Sequence, residues 1–140
     1  MKYKHIIWDW NGTLLNDLTL CVDLLNVSLE KRKLPEMTED KYRKKFLFPI
    51  KTFYESIGFD FSKEDFTIAN DEFHQGFEQK FKKLALQPYA QETIARFQKL
   101  GITQSILSAT VQSRLNEQVD FFGIIDLLDN VVGISNTPSG

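Results

Sequence analysis

The 140-residue sequence contains little cysteine, little excess charge of either sign and no long hydrophobic run. Its single cysteine, Cys21, excludes an internal disulfide and leaves a cysteine-built zinc site short of ligands. With 17 basic and 19 acidic residues the net charge is −2, so the composition predicts neither nucleic-acid binding nor attraction to an anionic membrane. The apolar run Ile6–Trp8 is interrupted by Asp9 and is too short for a signal peptide or a membrane span. We therefore expect a reduced, cytoplasmic protein that makes no membrane contact.

Glycine and proline are also sparse, with seven and four residues respectively, which excludes a collagen-like or low-complexity chain. Hydrophobic residues make up 42% of the sequence and charged residues 26%, which is typical of a globular protein and excludes intrinsic disorder. At this length we expect one compact unit that carries at most a small insertion.

Hydrophobic periodicity divides the chain into short strands and amphipathic helices. The opening KYKHIIWDW predicts a buried strand, because its β-branched and aromatic residues form a continuous run, and the following NGT is a turn signal. From Asn16 or Asp17, either of which can cap a helix, apolar residues recur every three or four positions up to Leu34–Pro35. The same signals predict further helices over residues 38–46, 51–58, 62–84, 90–101 and from Thr110 onward. Thr38 is the predicted cap of the first of these, and Ser62 with Asp65 forms a capping box at the start of the third. Strands are predicted over residues 102–110 and 130–134.

The order of these elements predicts a parallel sheet. Strands that alternate with single helices pair in parallel through right-handed crossovers. The four helices before Pro88 form an insertion, and nine of the twelve phenylalanines fall between Phe46 and Phe81, which supplies this insertion with a core of its own. We expect an α/β protein with a three-layer, Rossmann-like core of residues 1–15 and 86–140, whose parallel sheet is incomplete. A helical-bundle cap of residues 16–85 is inserted after the first strand.

Polar residues follow two of the predicted strands at the point where each strand ends. Asp9 closes the first strand and Ser108 closes the second, and the carboxyl ends of parallel strands form the crevice in which ligands bind. Asp9 is placed to act as a nucleophile or a metal ligand. Gly12 allows backbone N–H groups to approach an anion closely, and the Ser108 hydroxyl with the N–H groups after it can hold phosphate oxygens.

The same residues have simpler interpretations. Asn11 and Gly12 lie between two apolar runs, which is a strong signal for a β-hairpin, so this segment could belong to a plain structural domain. Ser108 alone could be an ordinary strand-end or capping serine.

Three segments together resemble a known family. DWNGTLL resembles the first motif of the haloacid dehalogenase superfamily, usually Asp-x-Asp-x-Thr after an apolar strand, and ILSAT resembles its second motif. FFGIIDLLDNVVG is similar to the stretch that follows in members with a helical cap, such as phosphoglycolate phosphatase and β-phosphoglucomutase. The predicted insertion also lies where that subgroup places its cap.

The resemblance implies a Mg²⁺-dependent phosphatase of a small phosphorylated metabolite, with the cap supplying specificity. Asp9 would be the nucleophile that becomes an aspartyl-phosphate, and a Mg²⁺ ligand. Asn11 occupies the general acid/base position and would bind the metal through its backbone carbonyl. Thr13 would brace the loop, while Ser108 and the N–H of Ala109 would bind the transferring phosphate. Phosphoryl transfer depends mainly on positioning and charge neutralisation, which these groups can supply.

The sequence departs from the family pattern at two points. Asn11 is an amide with no proton to exchange, and loss of acid–base help costs roughly 10²–10⁴ in rate, so the sequence predicts that Asn11→Asp raises turnover by up to about 10². The family's third-motif lysine and fourth-motif acids follow the third strand, and residues 1–140 do not include them. This predicts a truncated chain with weak Mg²⁺ binding and little activity, whose first strand is an exposed edge that favours self-association. A non-catalytic phosphate-binding or regulatory module is the alternative function.

Overall fold

The structure is a computed structural model that describes residues 5–135 and divides the chain into two compact units. One unit comprises the chain up to Asp17 together with the segment from Phe81 onward, and the other is Leu18–Lys80. The strands are β1 (His5–Trp8), β2 (Leu15–Asn16), β3 (Ala85–Leu86), β4 (Thr103–Val111) and β5 (Asn130–Ile134). The helices are α1 (Leu18–Lys31), α2 (Glu39–Lys45), α3 (Ile50–Ser56), α4 (Phe66–Lys80), α5 (Ala90–Lys99) and α6 (Gln112–Phe121).

The first unit is built on a three-stranded parallel sheet with the strand order β1-β4-β5. Trp8 pairs with Ile106, and Ile106 pairs with Val131 on its other side. The parallel α/β sheet predicted from the order of elements is therefore confirmed. Because the strands run in the same direction, β1 and β4 end at the same edge of the sheet, which brings the residues after Trp8 and after Ile106 to that edge.

The β-hairpin interpretation of the first motif is wrong. Leu15 pairs with Leu86, and Asn16 with Ala85, in a separate two-stranded antiparallel ribbon of β2 and β3. The segment after Gly12 therefore does not fold back on β1. The ribbon joins the two points at which the chain leaves the first unit and returns to it.

A buried glutamine links β1, β4 and α5. Gln104 on β4 is fully buried, and its Oε1 accepts a hydrogen bond of 2.9 Å from the Trp8 indole. Its Nε2 donates to the Ile94 carbonyl oxygen of α5 at 2.9 Å. Both ends of the amide are satisfied, so burial of this polar group carries no unpaired donor or acceptor. On the same unit, Leu115 and Val119 of α6 are fully buried, as their helical spacing predicts.

A second buried amide holds the residue that follows Asp9. Trp10 is fully buried, its ring lies 6.1 Å from that of Phe122, and its Nε1 donates to Gln118 Oε1 at 2.9 Å. We expect Gln118→Leu to lower the free energy of unfolding by about 1–3 kcal/mol, because it leaves the indole N–H buried without an acceptor. Chemical denaturation measures this loss. Gln91→Leu, on the exposed surface of α5, is the control, and equal stability of the two variants would contradict the account.

The second unit is a helical bundle around an aromatic core. Its buried residues come from all parts of the insertion. Phe53 is 1% exposed and its ring contacts those of Tyr42, Phe46 and Tyr54. The core of buried residues comprises Val22, Leu25, Leu29, Met37, Phe53, Tyr54, Phe59 and Ala69. The sequence assigns Phe81 to the core of the insertion, but Phe81 belongs to the first unit, where it packs against Phe121 and Phe122.

Two helix caps in the second unit can be compared with the sequence signals. Thr38 caps α2, since its hydroxyl accepts a hydrogen bond of 3.2 Å from the Lys41 N–H, as predicted. The predicted capping box at Ser62 is wrong, because Ser62 instead donates to Asp60. Asp65 takes the capping role before α4, and its Oδ1 accepts from the N–H of Thr67 at 2.9 Å. Asp65 stands directly before the first helical residue, whereas Ser62 is three residues further away.

The outer edge of β1 carries a prediction about association. Among the strands of residues 5–135, β1 pairs with β4 alone, and Ile7 on it is 65% exposed. We propose that two copies associate through this edge, because its unpaired N–H and C=O groups can extend another sheet. Sedimentation of the chain should show a concentration-dependent dimer that Ile7→Lys weakens, while Val27→Lys, at a comparably exposed position of α1, leaves it intact. A strictly monomeric chain at high concentration would contradict the proposal.

No helix within residues 5–135 is long and apolar enough to cross a membrane.

Candidate active site

Asp9 lies directly after the last residue of β1, and its side chain is exposed. One carboxylate oxygen accepts a hydrogen bond of 2.8 Å from the N–H of Trp10. This bond fixes the side chain against its own backbone. The burial of Trp10 anchors the backbone on which Asp9 is carried.

The loop after Asp9 is a tight turn around one carbonyl group. The Trp10 carbonyl oxygen accepts from the N–H groups of Thr13, Leu14 and Leu15 at 3.3, 3.1 and 3.0 Å. Gly12 has a φ of +76° with open space where a Cβ would stand, so the turn requires glycine for its backbone conformation rather than for room. The Gly12 N–H donates to Leu15 O at 3.0 Å. The Gly12 N–H is therefore used within the turn.

Asn11 connects this loop to the end of β4. Its Nδ2 donates to Asp17 Oδ2 at 2.9 Å, and its Oδ1 accepts from the Thr110 hydroxyl at 3.1 Å. The Ser108 hydroxyl in turn donates to Thr110 Oγ1 at 3.0 Å and accepts from the Thr110 N–H at 3.1 Å. Asn11 and Ser108 are therefore joined through one intervening threonine.

The end of β4 extends further than the sequence predicts. Thr110 was expected to cap the next helix, but β4 continues to Val111 and α6 begins at Gln112 without a side-chain cap. The Thr110 hydroxyl instead donates to Asn11 Oδ1 and accepts from the Ser108 hydroxyl. Ser108 is buried, whereas Ala109 is exposed beside it, as the alternation of a strand requires.

Three residues of this site were not among the sequence candidates. Asp17 was predicted only as a helix cap, and Thr110 likewise, although each contributes a side-chain contact here. Gln87 donates from its backbone to Leu14 O at 2.8 Å and from Nε2 to Gly12 O at 3.4 Å. The spacing Ser-x-Thr is the sequence signal that associates Thr110 with Ser108. No sequence signal indicates that Asp17 or Gln87 contributes to the site.

The donor chemistry at the end of β1 fits a hard cation. Asp9 offers an exposed carboxylate, and the main-chain carbonyl of Asn11 lies two residues later. Mg²⁺ prefers oxygen ligands and is held by one or two carboxylates together with water and substrate phosphate. Within residues 5–135, no group of three or more histidine, cysteine or acidic side chains converges on one point. The oxygen atoms of Asp9 and of the Asn11 carbonyl therefore fit a hard cation, which they would hold together with several waters.

Comparison with known proteins identifies the family. The model of the haloacid dehalogenase-like hydrolases matches residues 6–139, so the chain belongs to this family. The match includes Asp9, directly after β1, and the whole of β4 with Ser108. No curated protein sequence matches the chain significantly.

Solved structures share the fold at low sequence identity. A predicted phosphoglycolate phosphatase from Haemophilus somnus superposes with a TM-score of 0.79 at 19% identity, over 99% of this chain and 66% of that one. A predicted phosphatase from Clostridium acetobutylicum gives 0.78 at 20% identity, over 95% of this chain and 62% of that one. Protein tyrosine kinase A of Mycobacterium tuberculosis gives 0.82 at 16% identity, over 99% and 63%. Residues 1–140 thus span less than two thirds of the length of these proteins, and the likeness concerns the fold.

Proposed function

We propose that the protein is a Mg²⁺-dependent phosphatase that transfers a phosphoryl group from a small phosphorylated metabolite to Asp9 and then to water. The observation that carries the proposal is the exposed Asp9 carboxylate at the carboxyl end of β1, with Ser108 among the last four residues of the adjacent parallel strand. In open α/β sheets this edge is where ligands bind. Membership of a hydrolase family supports the reaction class.

The first step forms a bond between an Asp9 carboxylate oxygen and phosphorus and breaks the bond from phosphorus to the leaving oxygen. Asn11 cannot protonate that oxygen, so the leaving group takes its proton from solvent or departs as an anion. Water then attacks the aspartyl-phosphate, releases inorganic phosphate and regenerates the Asp9 carboxylate. Substrates with an acidic leaving group are favoured, because they need the least protonation.

The remaining residues position the phosphoryl group. Ala109 is exposed on β4, and its N–H would bind a phosphate oxygen. The Ser108 hydroxyl would join it by turning its hydrogen from Thr110 Oγ1, its acceptor in the structure, to the phosphate. Gly12 and Thr13 form the turn that carries Asn11, and they act through the shape of the loop, since their N–H groups are hydrogen-bonded within it. Asp9 and the Asn11 carbonyl would hold Mg²⁺, which would supply neutralisation of the negative charge of the phosphoryl group.

The direct test is hydrolysis of an aryl phosphate by the longest natural form of the protein that contains residues 1–140, here called the parent protein. We expect turnover that requires Mg²⁺ and is lost on chelation, and we expect much less turnover from residues 1–140 alone. Absence of turnover in the parent protein, with the fold intact, would refute the proposal.

A non-catalytic phosphate-binding or regulatory module is the second candidate. It is favoured by Asn11, because an amide cannot act as a general acid or base. The Nδ2 and Oδ1 atoms of Asn11 are also both engaged in hydrogen bonds. Calorimetry separates the two functions. Binding of inorganic phosphate or Mg²⁺ by a parent protein that does not hydrolyse an aryl phosphate supports the module.

A further inference from the structure

Four polar side chains form one continuous chain of hydrogen bonds from β4 to the residue before α1. Ser108 donates to Thr110 at 3.0 Å, Thr110 donates to Asn11 Oδ1 at 3.1 Å, and Asn11 donates to Asp17 Oδ2 at 2.9 Å. The Asp17 side chain is 2% exposed, and Ser108 is 7% exposed. Both ends of the chain are therefore buried, while Asn11 lies between them at the surface of the loop.

Asp17 dictates the direction of this chain. A carboxylate has acceptors only, so Asn11 must turn its NH₂ group towards Asp17 and its carbonyl oxygen towards Thr110. The Thr110 hydroxyl then donates to Asn11 and accepts from Ser108. Because Asp17 is buried, loss of the hydrogen bond from Asn11 would weaken the compensation of its charge, which is costly.

We propose that Asp17 is a positioning residue for Asn11, and that positions 11 and 17 require one amide and one carboxylate between them. The catalytic consequence rests on the proposed phosphatase function, while the pairing itself does not. An acid at position 11 would face the Asp17 carboxylate with no hydrogen between the two oxygens. The asparagine at the position where the family usually has an acid is thus matched to Asp17.

This pairing reverses the expectation drawn from the sequence for Asn11→Asp. The single variant loses a hydrogen bond and gains repulsion between two carboxylates, so we expect lower stability and lower turnover. Adding Asp17→Asn restores the hydrogen bond with donor and acceptor exchanged, because the amide at position 17 then donates to the carboxylate at position 11. The second oxygen of that carboxylate still accepts from Thr110.

A double-variant cycle in the 140-residue chain tests the pairing without reference to activity. The unfolding equilibrium constants of wild type, Asn11→Asp, Asp17→Asn and the double variant are measured by chemical denaturation. We expect the double variant to be more stable than the product of the single effects by at least about fivefold in that constant. The matched control combines Asn11→Asp with Asp23→Asn, which removes the same charge from an exposed site on α1 and should give no rescue.

Nuclear magnetic resonance supplies a second readout. The side-chain NH₂ signals of Asn11 should shift in Asp17→Ala and in the more conservative Asp17→Asn, and stay in place in Asp23→Asn. Additive single effects, equal rescue by Asp23→Asn, or unmoved Asn11 signals in the Asp17 variants would overturn the proposal.

Turnover of an aryl phosphate by the same variants of the parent protein separates this proposal from the proposed function. We expect Asn11→Asp to lower kcat at least about fivefold with little change in KM, and Asp17→Asn to restore it in the double variant. Coupling and shifted amide signals in a parent protein without turnover would support the pairing and refute the phosphatase. Turnover without coupling would support the phosphatase and refute the pairing.

Discussion

Asp9→Asn is expected to abolish phosphatase turnover of the parent protein, by on the order of 10⁴-fold or more, since it removes the group that forms the covalent intermediate. The amide keeps an oxygen that can accept the hydrogen bond from the Trp10 N–H, so the loop should retain its conformation. The loss should therefore appear in kcat without a matching loss of stability. Steady-state kinetics with an aryl phosphate, together with chemical denaturation, measure both quantities.

The control for this variant is Asp23→Asn, which neutralises an exposed carboxylate on α1. It should leave turnover unchanged. Turnover that survives in Asp9→Asn would remove the covalent mechanism, whatever the other residues do.

Phe53→Ala should cause the largest loss of stability, about 3–5 kcal/mol, because it empties the centre of the helical unit. Phe53 is 1% exposed and contacts the rings of Tyr42 and Phe46 as well as that of Tyr54. A loss of this size is a large part of the total stability of a small protein. Circular dichroism during urea unfolding should show that the variant loses its helix content at a lower urea concentration than the wild type.

Phe48→Ala provides the matched control in the same segment. Phe48 is 64% exposed, so its truncation removes little buried area and should lower stability by well under about 1 kcal/mol. Similar losses in the two variants would contradict the assignment of Phe53 to the core.

Much of the first unit could be predicted from the sequence because its signals are local. The apolar run before Asp9 predicts β1, and the predicted strand at 130–134 matches β5. The alternation of strands and helices then predicts parallel pairing, which brings Asp9 and Ser108 to one edge of the sheet. The aromatic content between Phe46 and Phe81 similarly indicated a separate helical unit.

The hydrogen-bond partners at the site could not be predicted, because they depend on which side chains meet in space. Asn11 and Thr110 are 99 positions apart in the sequence, yet their side chains bond at 3.1 Å. Asp17 has the ordinary sequence signal of a helix cap, and nothing local shows that its carboxylate turns towards Asn11. At Gly12 the turn signal is local and predicts a residue that tolerates a positive φ, whereas the hydrogen bond from its N–H to Leu15 O depends on the path of the loop.

The central claim is that Asp9 receives the phosphoryl group. The most direct measurement is rapid quenching of the parent protein during turnover of an aryl phosphate with Mg²⁺, followed by mass spectrometry of the peptide that contains Asp9. We predict one phosphoryl group on Asp9, held by a bond that hydroxylamine cleaves, and none in Asp9→Asn. Turnover with Asp9 unmodified at every quench time, or a phosphoryl group carried by a hydroxyl side chain instead, would contradict the account.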